Sequence, residues 1–361
     1  MRQTIMNNRE RIEAILGGGI PDRIPFLPFS ELIPRGSYER EMRARGMGFI
    51  VHGASLWSEM PSVEVSQRTR DGEATATYRT PVGEVMTKYR THAQGASNNA
   101  SVQQEWLIKG VEDYHAVIFM IDDTTYHVDQ SAYRKAVADL GDDGIVHTWT
   151  DEPPYMDAQY FLGLEKWSYD QYDHPNEFRA LLEALARRQE RRLQMLLECP
   201  DSFINLGNLA GNFGPSQYKE YILPYYHRYV PWFRDRGKRL TIHADALNLS
   251  RYLDLVPLTE VKIIEAFTPP PVGDLALRDA RGAWGEDVTI WINFPETVFY
   301  GGYDATRRYV IELLQSDPCP NKFLGMTEMG LMGVNESNEA IFKEGIRAIM
   351  DGLDELGPYR K

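Results

Sequence analysis

One imidazole and three carboxylates stand at matching places along this 361-residue chain. His243 ends the run Arg239-Leu240-Thr241-Ile242, and Asp245 follows two residues later. Glu265 ends Val261-Lys262-Ile263-Ile264, and Glu328 ends Lys322-Phe323-Leu324-Gly325-Met326-Thr327. Each run is short and strand-like. In a parallel α/β protein, the carboxyl ends of such strands are where ligands and chemistry collect. A histidine with several carboxylates on one face is either a metal-ligand set or an acid/base set. The catalytic candidates are therefore His243, Glu265 and Glu328, and the metal candidates are His243, Asp245, Glu265 and Glu328. Asp245 equally suits the N-cap of the segment that follows, and both readings stand.

The rest of the chain supplies elements to position these residues. Asn7 caps a predicted amphipathic helix, Arg9 to Leu16, which Gly17-Gly18-Gly19 stops. Ile24 to Phe29 reads as a first strand, with Ser30-Glu31 at its end. Between Val63 and Thr91 the texture changes to β-formers around an Asp71-Gly72 turn signal, which predicts an antiparallel excursion. Strands are predicted at 145–149 and 203–206, the latter running into the Gly/Asn-rich loop 207–215. The period then becomes regular. Strands 239–243, 261–265, 288–293 and 322–327 alternate with helices 249–257, 274–280, 303–315 and 336–352. With the first strand, and a second that the pattern marks only weakly, the count reaches eight. The fold class is α/β, a single (β/α)8 TIM barrel with an N-terminal β-hairpin excursion. The chain reads as one domain, 1–361, with an antiparallel insertion at about 61–95. His147 and His227 read as structural histidines.

Composition narrows the function classes. The chain is 43% hydrophobic and 25% charged, ordinary for a globular protein, with a net charge of −13. That balance disfavours nucleic acid or an anionic membrane as partner. No apolar run reaches membrane-spanning length. The two cysteines, Cys199 and Cys319, form no Cys-x-x-Cys pair, so a reducing compartment is expected. Without a signal-peptide core near Met1, the expected location is cytoplasmic.

The opening Asn8-Arg9-Glu10-Arg11-Ile12, Gly17 to Pro25, the strand–His243–helix segment and Pro270-Pro271-Val272-Gly273-Asp274-Leu275 resemble the uroporphyrinogen decarboxylase superfamily. The resemblance implies a (β/α)8 barrel. It is closer to the cobalamin-linked methyltransferase branch than to the true decarboxylases, whose Arg-rich motif after the first strand is replaced here by Pro28-Phe29-Ser30-Glu31. In that branch a His-x-Cys pair, a glutamate about 20 residues later and a final cysteine bind zinc. Here those places hold His243-Ala244-Asp245, Glu265 and Glu328, with both thiolates replaced by carboxylates. The implied activity is metal-assisted transfer of a methyl group from a small donor to a corrinoid protein, and the harder, oxygen-rich ligand set suits an oxygen leaving group, a methoxy-aromatic donor being one candidate. Zinc would be bound here and cobalamin carried by the partner, since this chain lacks an Asp-x-His-x-x-Gly motif. The alternatives are a decarboxylase-like lyase and a non-catalytic small-molecule-binding barrel. A homodimer is one expectation for the assembly.

For a planar substrate, the expected contacts are Trp57, Glu59, Tyr155, Tyr160, Asn208, Asn212, Phe213 and Phe294, all in or near strand-end loops.

Overall fold

A computed structural model describes residues 5–91, 101–209, 212–327 and 337–359. The strands, in chain order, are β1 (Phe26–Pro28), β2 (Phe49–His52), β3 (Leu56–Glu59), β4 (Glu64–Arg70) and β5 (Glu73–Thr80). Then come β6 (Gly83–Thr91), β7 (Ser101–Glu105), β8 (Thr125–Val128), β9 (Gly144–Trp149) and β10 (Phe203–Asn208). The last four are β11 (Arg239–His243), β12 (Ile263–Phe267), β13 (Thr289–Asn293) and β14 (Lys322–Met326).

Eight strands form one parallel sheet in the order β1-β14-β13-β12-β11-β10-β9-β2. A parallel bridge, Phe29 to Ile50, brings its two ends together. The Gly48 N–H donates to the Phe26 carbonyl at 2.9 Å beside it. The result is the expected (β/α)8 barrel. β12, β13 and β14 are buried along their whole length, as strands covered on both faces must be.

The barrel interior has two chemically different ends. Near the strand N-termini, Phe203, Ile263, Trp291 and Phe323 pack with Ile12 and Ile15 of helix Asn8–Leu16. That helix has the predicted Asn7 cap, closed into a capping box with Glu10. It plugs the bottom of the barrel, which leaves the opposite end for polar groups. Trp291 is fully buried, stacked on Phe323 at 5.3 Å and Phe203 at 6.1 Å. Gly325 makes room for it: a Cβ there would lie 2.1 Å from the indole Nε1. Gly325→Ala is therefore expected to destabilise the fold by ~1–3 kcal/mol, read from the denaturation midpoint. An unchanged midpoint would mean that the indole is free to move.

The chain forms two compact units. One comprises 1–53, 132–149 and 201–361 and contains the whole barrel; the other comprises 54–131 and 150–200. The second unit holds the antiparallel sheet β4-β5-β6-β7, the pair β3-β8 and the helix Pro175–Leu197. The antiparallel strands begin and end later than predicted, at Glu64 and Glu105. The crossings between units are direct peptide steps such as Gly53-Ala54 and Trp149-Thr150, with no linker composition to mark them. The predicted helix 249–257 is two short 3₁₀ turns, Leu249–Tyr252 and Pro257–Thr259. Both cysteines are free and buried. Among the described residues no helix is long and apolar enough to cross a membrane.

Candidate active site

β11 alternates, so Thr241 and His243 share its inner face while Leu240 and Ile242 pack outward. Its two neighbours are both bulged at the same height. β10 slips register between Asn205 and Asn208, with Gly207 at φ +103°. β12 slips between Ile264 and Phe267, with Ala266 at φ +55°. A left-handed alanine costs energy, and bulges at a barrel rim re-aim the adjacent side chains. Here they flank His243 and Glu265, which are aligned partners across β11 and β12.

Glu265 is the centre of the site and has no exposed surface. Its Oε2 accepts from the Thr241 hydroxyl at 2.7 Å and from Asn205 Nδ2 at 3.0 Å. His147 Nε2 lies 3.3 Å from the same oxygen and 3.1 Å from Thr241 Oγ1. Its Oε1 faces His243 Nδ1 at 3.2 Å. Burial alone would push the Glu265 carboxyl up. His147, His243 and the Thr241 hydroxyl more than offset this and hold it at about 2. Burial also pushes the His147 imidazole down to about 4, against the opposing pull of Glu265. His147 is thus neutral at pH 7, with its N–H on Nε2 where both neighbours accept. Its Nδ1 is buried with no hydrogen-bond partner among the described residues, which further disfavours a second proton.

Since Glu265 only accepts, it fixes the His243 hydrogen on Nδ1. That turns Nε2 towards Asp245, whose Oδ2 is 3.4 Å away. A lone pair and a carboxylate at that distance attract only with a cation between them, either a proton or a metal ion. A tetrahedral ion with bonds of about 2.0–2.1 Å separates its ligands by about 3.3 Å, so His243 and Asp245 fit two positions of such an ion. Glu265 does not fit a third. It lies on the far nitrogen of the ring, and both its oxygens are engaged. Its place is that of the carboxylate behind a metal-bound histidine. Glu328 lies outside the described residues. Among those described, no group of three His, Cys, Asp or Glu side chains is arranged to hold a metal.

The other candidates divide. Asn208 pairs in register with His243 at the end of β10. Asn212 is exposed. Phe213 is buried against Tyr218, and its carbonyl accepts from the Tyr252 hydroxyl at 2.6 Å. Phe294 is fully buried between Phe299 and Tyr309, so it packs the barrel wall and presents no surface to a ligand. Trp57, Glu59, Tyr155 and Tyr160 belong to the second unit. There Tyr155 is core, packed on Trp167, while Tyr160 is an exposed surface residue. Trp57 and Glu59 line a cavity of that unit.

Sequence reasoning missed Asn205, Thr241 and Trp149, and it placed His147 in the structural class. Trp149 is the aromatic that meets His243, at 5.0 Å between ring centres. The signal was present. Ile145, His147 and Trp149 alternate along a predicted strand, so any ligand-facing residue there brings the others with it. A second pair, His52 Nε2 with Glu31 Oε1 at 2.9 Å, sits at the ends of β1 and β2. His227 is structural as expected, bonded to the Leu258 carbonyl at 2.8 Å.

No family model and no curated protein matches this sequence. Solved structures do match. A methyltransferase from Methanosarcina mazei superposes with a TM-score of 0.58 at 10% identity, covering 97% of this chain and 99% of that chain. A B12-independent methionine synthase from Shewanella sp. W3-18-1, in complex with selenomethionine, matches at 0.42 and 10% identity over 92% and 97% of the two chains. The second likeness is too loose to carry an argument. The first shows that this chain has a (β/α)8 barrel of the same fold as that methyltransferase.

Proposed function

We propose that this barrel is a methyltransferase that removes a methyl group from a small methoxy-aromatic compound and passes it to a separate corrinoid protein. The observation that carries the reading is the line Glu265–His243–Asp245, which runs from the fully buried Glu265 through the buried His243 at the end of β11 to the partly exposed Asp245. Demethylation of an aryl ether leaves an oxygen that keeps the electron pair of the broken C–O bond. That oxygen needs a cationic neighbour, and the His243–Asp245 pair is a place built for one. Glu265 holds the imidazole so that Nε2 faces outward, and Thr241 and Asn205 hold Glu265. Trp149 gives a flat apolar wall beside the imidazole. When bound by His243 Nε2 and Asp245, a zinc ion would supply Lewis acidity towards the departing oxygen. The fold shared with a methyltransferase supports the same reading. A lyase acting on a carboxylate would want a cationic pocket, whereas this polar layer is His147, Asn205, Thr241, His243, Glu265 and Asn293.

The test uses protein purified without chelator or affinity metal. About one zinc per chain is expected, with more than tenfold weaker retention in His243→Ala and Asp245→Ala. Reduced corrinoid should gain methyl groups from a methoxybenzoate panel with the parent protein and not with His243→Ala. Equal metal content in all three proteins would remove the metal from the proposal. Failure to transfer methyl from every donor of the panel would remove the reaction.

A further inference from the structure

A second imidazole–carboxylate pair stands at the carboxyl ends of the first two barrel strands, and the proposed reaction leaves it unused. His52 is the last residue of β2, and its register partner on β9 is His147. Register partners on parallel strands point to the same face, so His52 joins the inner face that carries His147 and Trp149. Its ring lies 6.2 Å from that of His147 and packs edge-on against Phe29 at 4.4 Å. It also lies 6.2 Å from Trp149, and Trp149 meets His243 at 5.0 Å. The His52 and His243 rings are therefore no farther apart than these two distances together, within the span of one aromatic ring bearing an oxygen at each end. All of these residues belong to the unit that contains the barrel.

Glu31 orients His52. Its Oε1 lies 2.9 Å from His52 Nε2. Partial burial pushes the Glu31 carboxyl up, and the hydrogen bond from His52 more than offsets this, so the group stays below its ordinary value. An ionised carboxylate only accepts, so the His52 hydrogen sits on Nε2 and Nδ1 keeps its lone pair. Nδ1 has no hydrogen-bond partner among the described residues, and the His52 side chain is 38% exposed, so a ligand can reach it. A nitrogen lone pair takes a hydrogen-bond donor. Beside the negative Glu31 a neutral hydroxyl suits this position and a second carboxylate does not.

We propose that His52 is a specificity-determining residue of the barrel site: its Nδ1 accepts the hydroxyl hydrogen of a phenolic methoxy-arene, whose ring lies against Trp149 and whose ether oxygen faces the His243–Asp245 pair. Glu31 is its positioning residue. The inference deepens the methyl-transfer reading and rests on it for the ether end alone.

Calorimetric titration without corrinoid tests it, with para-methoxyphenol and para-dimethoxybenzene as probes. The phenol is expected to bind about tenfold more tightly, the worth of one hydrogen bond. His52→Phe keeps a ring beside Phe29 and Trp149, and should bring the two probes within about twofold of each other by weakening the phenol alone. Glu31→Ala should release the His52 hydrogen to either nitrogen, read by nitrogen NMR, and should also weaken the phenol alone. Both variants alter partly exposed side chains, and an unchanged melting temperature shows that they fold. Equal binding of the two probes by the parent protein overturns the assignment, as does an undiminished preference in His52→Phe. Tighter binding of para-methoxybenzoate than of the phenol overturns it too, as does no phenol binding at roughly 10 mM, the weakest affinity such a site would have. These outcomes separate from those of the reaction. A hydroxyl preference without methyl transfer keeps this site and removes the chemistry, while transfer without the preference does the reverse.

Discussion

Glu265→Gln should lower the proposed methyl transfer by about 10²–10⁴-fold while leaving the barrel folded. Glutamine keeps the shape of the side chain. Its carbonyl oxygen can still accept from Thr241 and Asn205, which in the parent protein donate to Oε2 at 2.7 and 3.0 Å. Its amide then faces His243 Nδ1, where Oε1 stood at 3.2 Å. An N–H cannot accept an N–H, so the His243 hydrogen must leave Nδ1 for Nε2. Nε2 loses its lone pair and becomes a donor to Asp245, and the place for a cation is gone. The stability loss should be small, ~1–2 kcal/mol for one weakened charged hydrogen bond. Glu265→Ala should be far worse for the fold, ~3–5 kcal/mol, because the buried donors Thr241, Asn205, His147 and His243 lose a shared acceptor together. Nitrogen NMR of the His243 ring reads the tautomer directly, and single-turnover kinetics read the transfer. A Glu265→Gln protein with parental rate and the hydrogen still on Nδ1 would show that this carboxylate does not orient the imidazole.

Acidification should unfold the barrel in two stages, and His147 governs the first. Its imidazole is held down at about 4, against an ordinary 6.5, because the ring is fully buried. The unfolded chain therefore binds the proton first. The stability present above pH 6.5 is lost as pH falls towards 4, by about 3 kcal/mol if the whole shift is realised. Glu265 adds a second loss with the same sign between its ordinary 4.5 and about 2, where the carboxylate gives up its donors. His147→Gln keeps an N–H for Thr241 and Glu265 but cannot titrate. Denaturant midpoints measured from pH 7 to pH 4 should fall steeply for the parent and much less for this variant. Parallel curves would mean that another group carries the acid limb.

The two effects share one cause. A buried, polar layer has been placed inside the barrel wall above an apolar plug. Trp291, Phe203 and Phe323 pack below it, and the strands on either side of β11 are bulged beside Gly207 and Ala266. In such surroundings a hydrogen bond to a charge is worth more, and a missing partner costs more, than at the surface.

The sequence alone determined the barrel. Strands buried on both faces read as short apolar runs, and their alternation with amphipathic helices from residue 239 onward left few other architectures. It also put His243 at the end of its strand and Glu265 level with it, although β12 runs two residues past Glu265, to Phe267, beyond the strand end read from the sequence. The partners were decided only by the tertiary structure. Asn205, Thr241, His147 and Trp149 come from three strands, and nothing local marks a threonine or an asparagine as the support of a carboxylate 24 or 60 residues away. Sequence spacing allowed Glu265 to be a ligand. The folded geometry puts it on the far nitrogen of His243, because a bulge, which depends on how two strands pair, sets where the side chain points. The second unit was invisible for a similar reason. Its two segments, 54–131 and 150–200, are separated by a barrel strand and meet only in three dimensions, and so does the aromatic and arginine lining of its cavity.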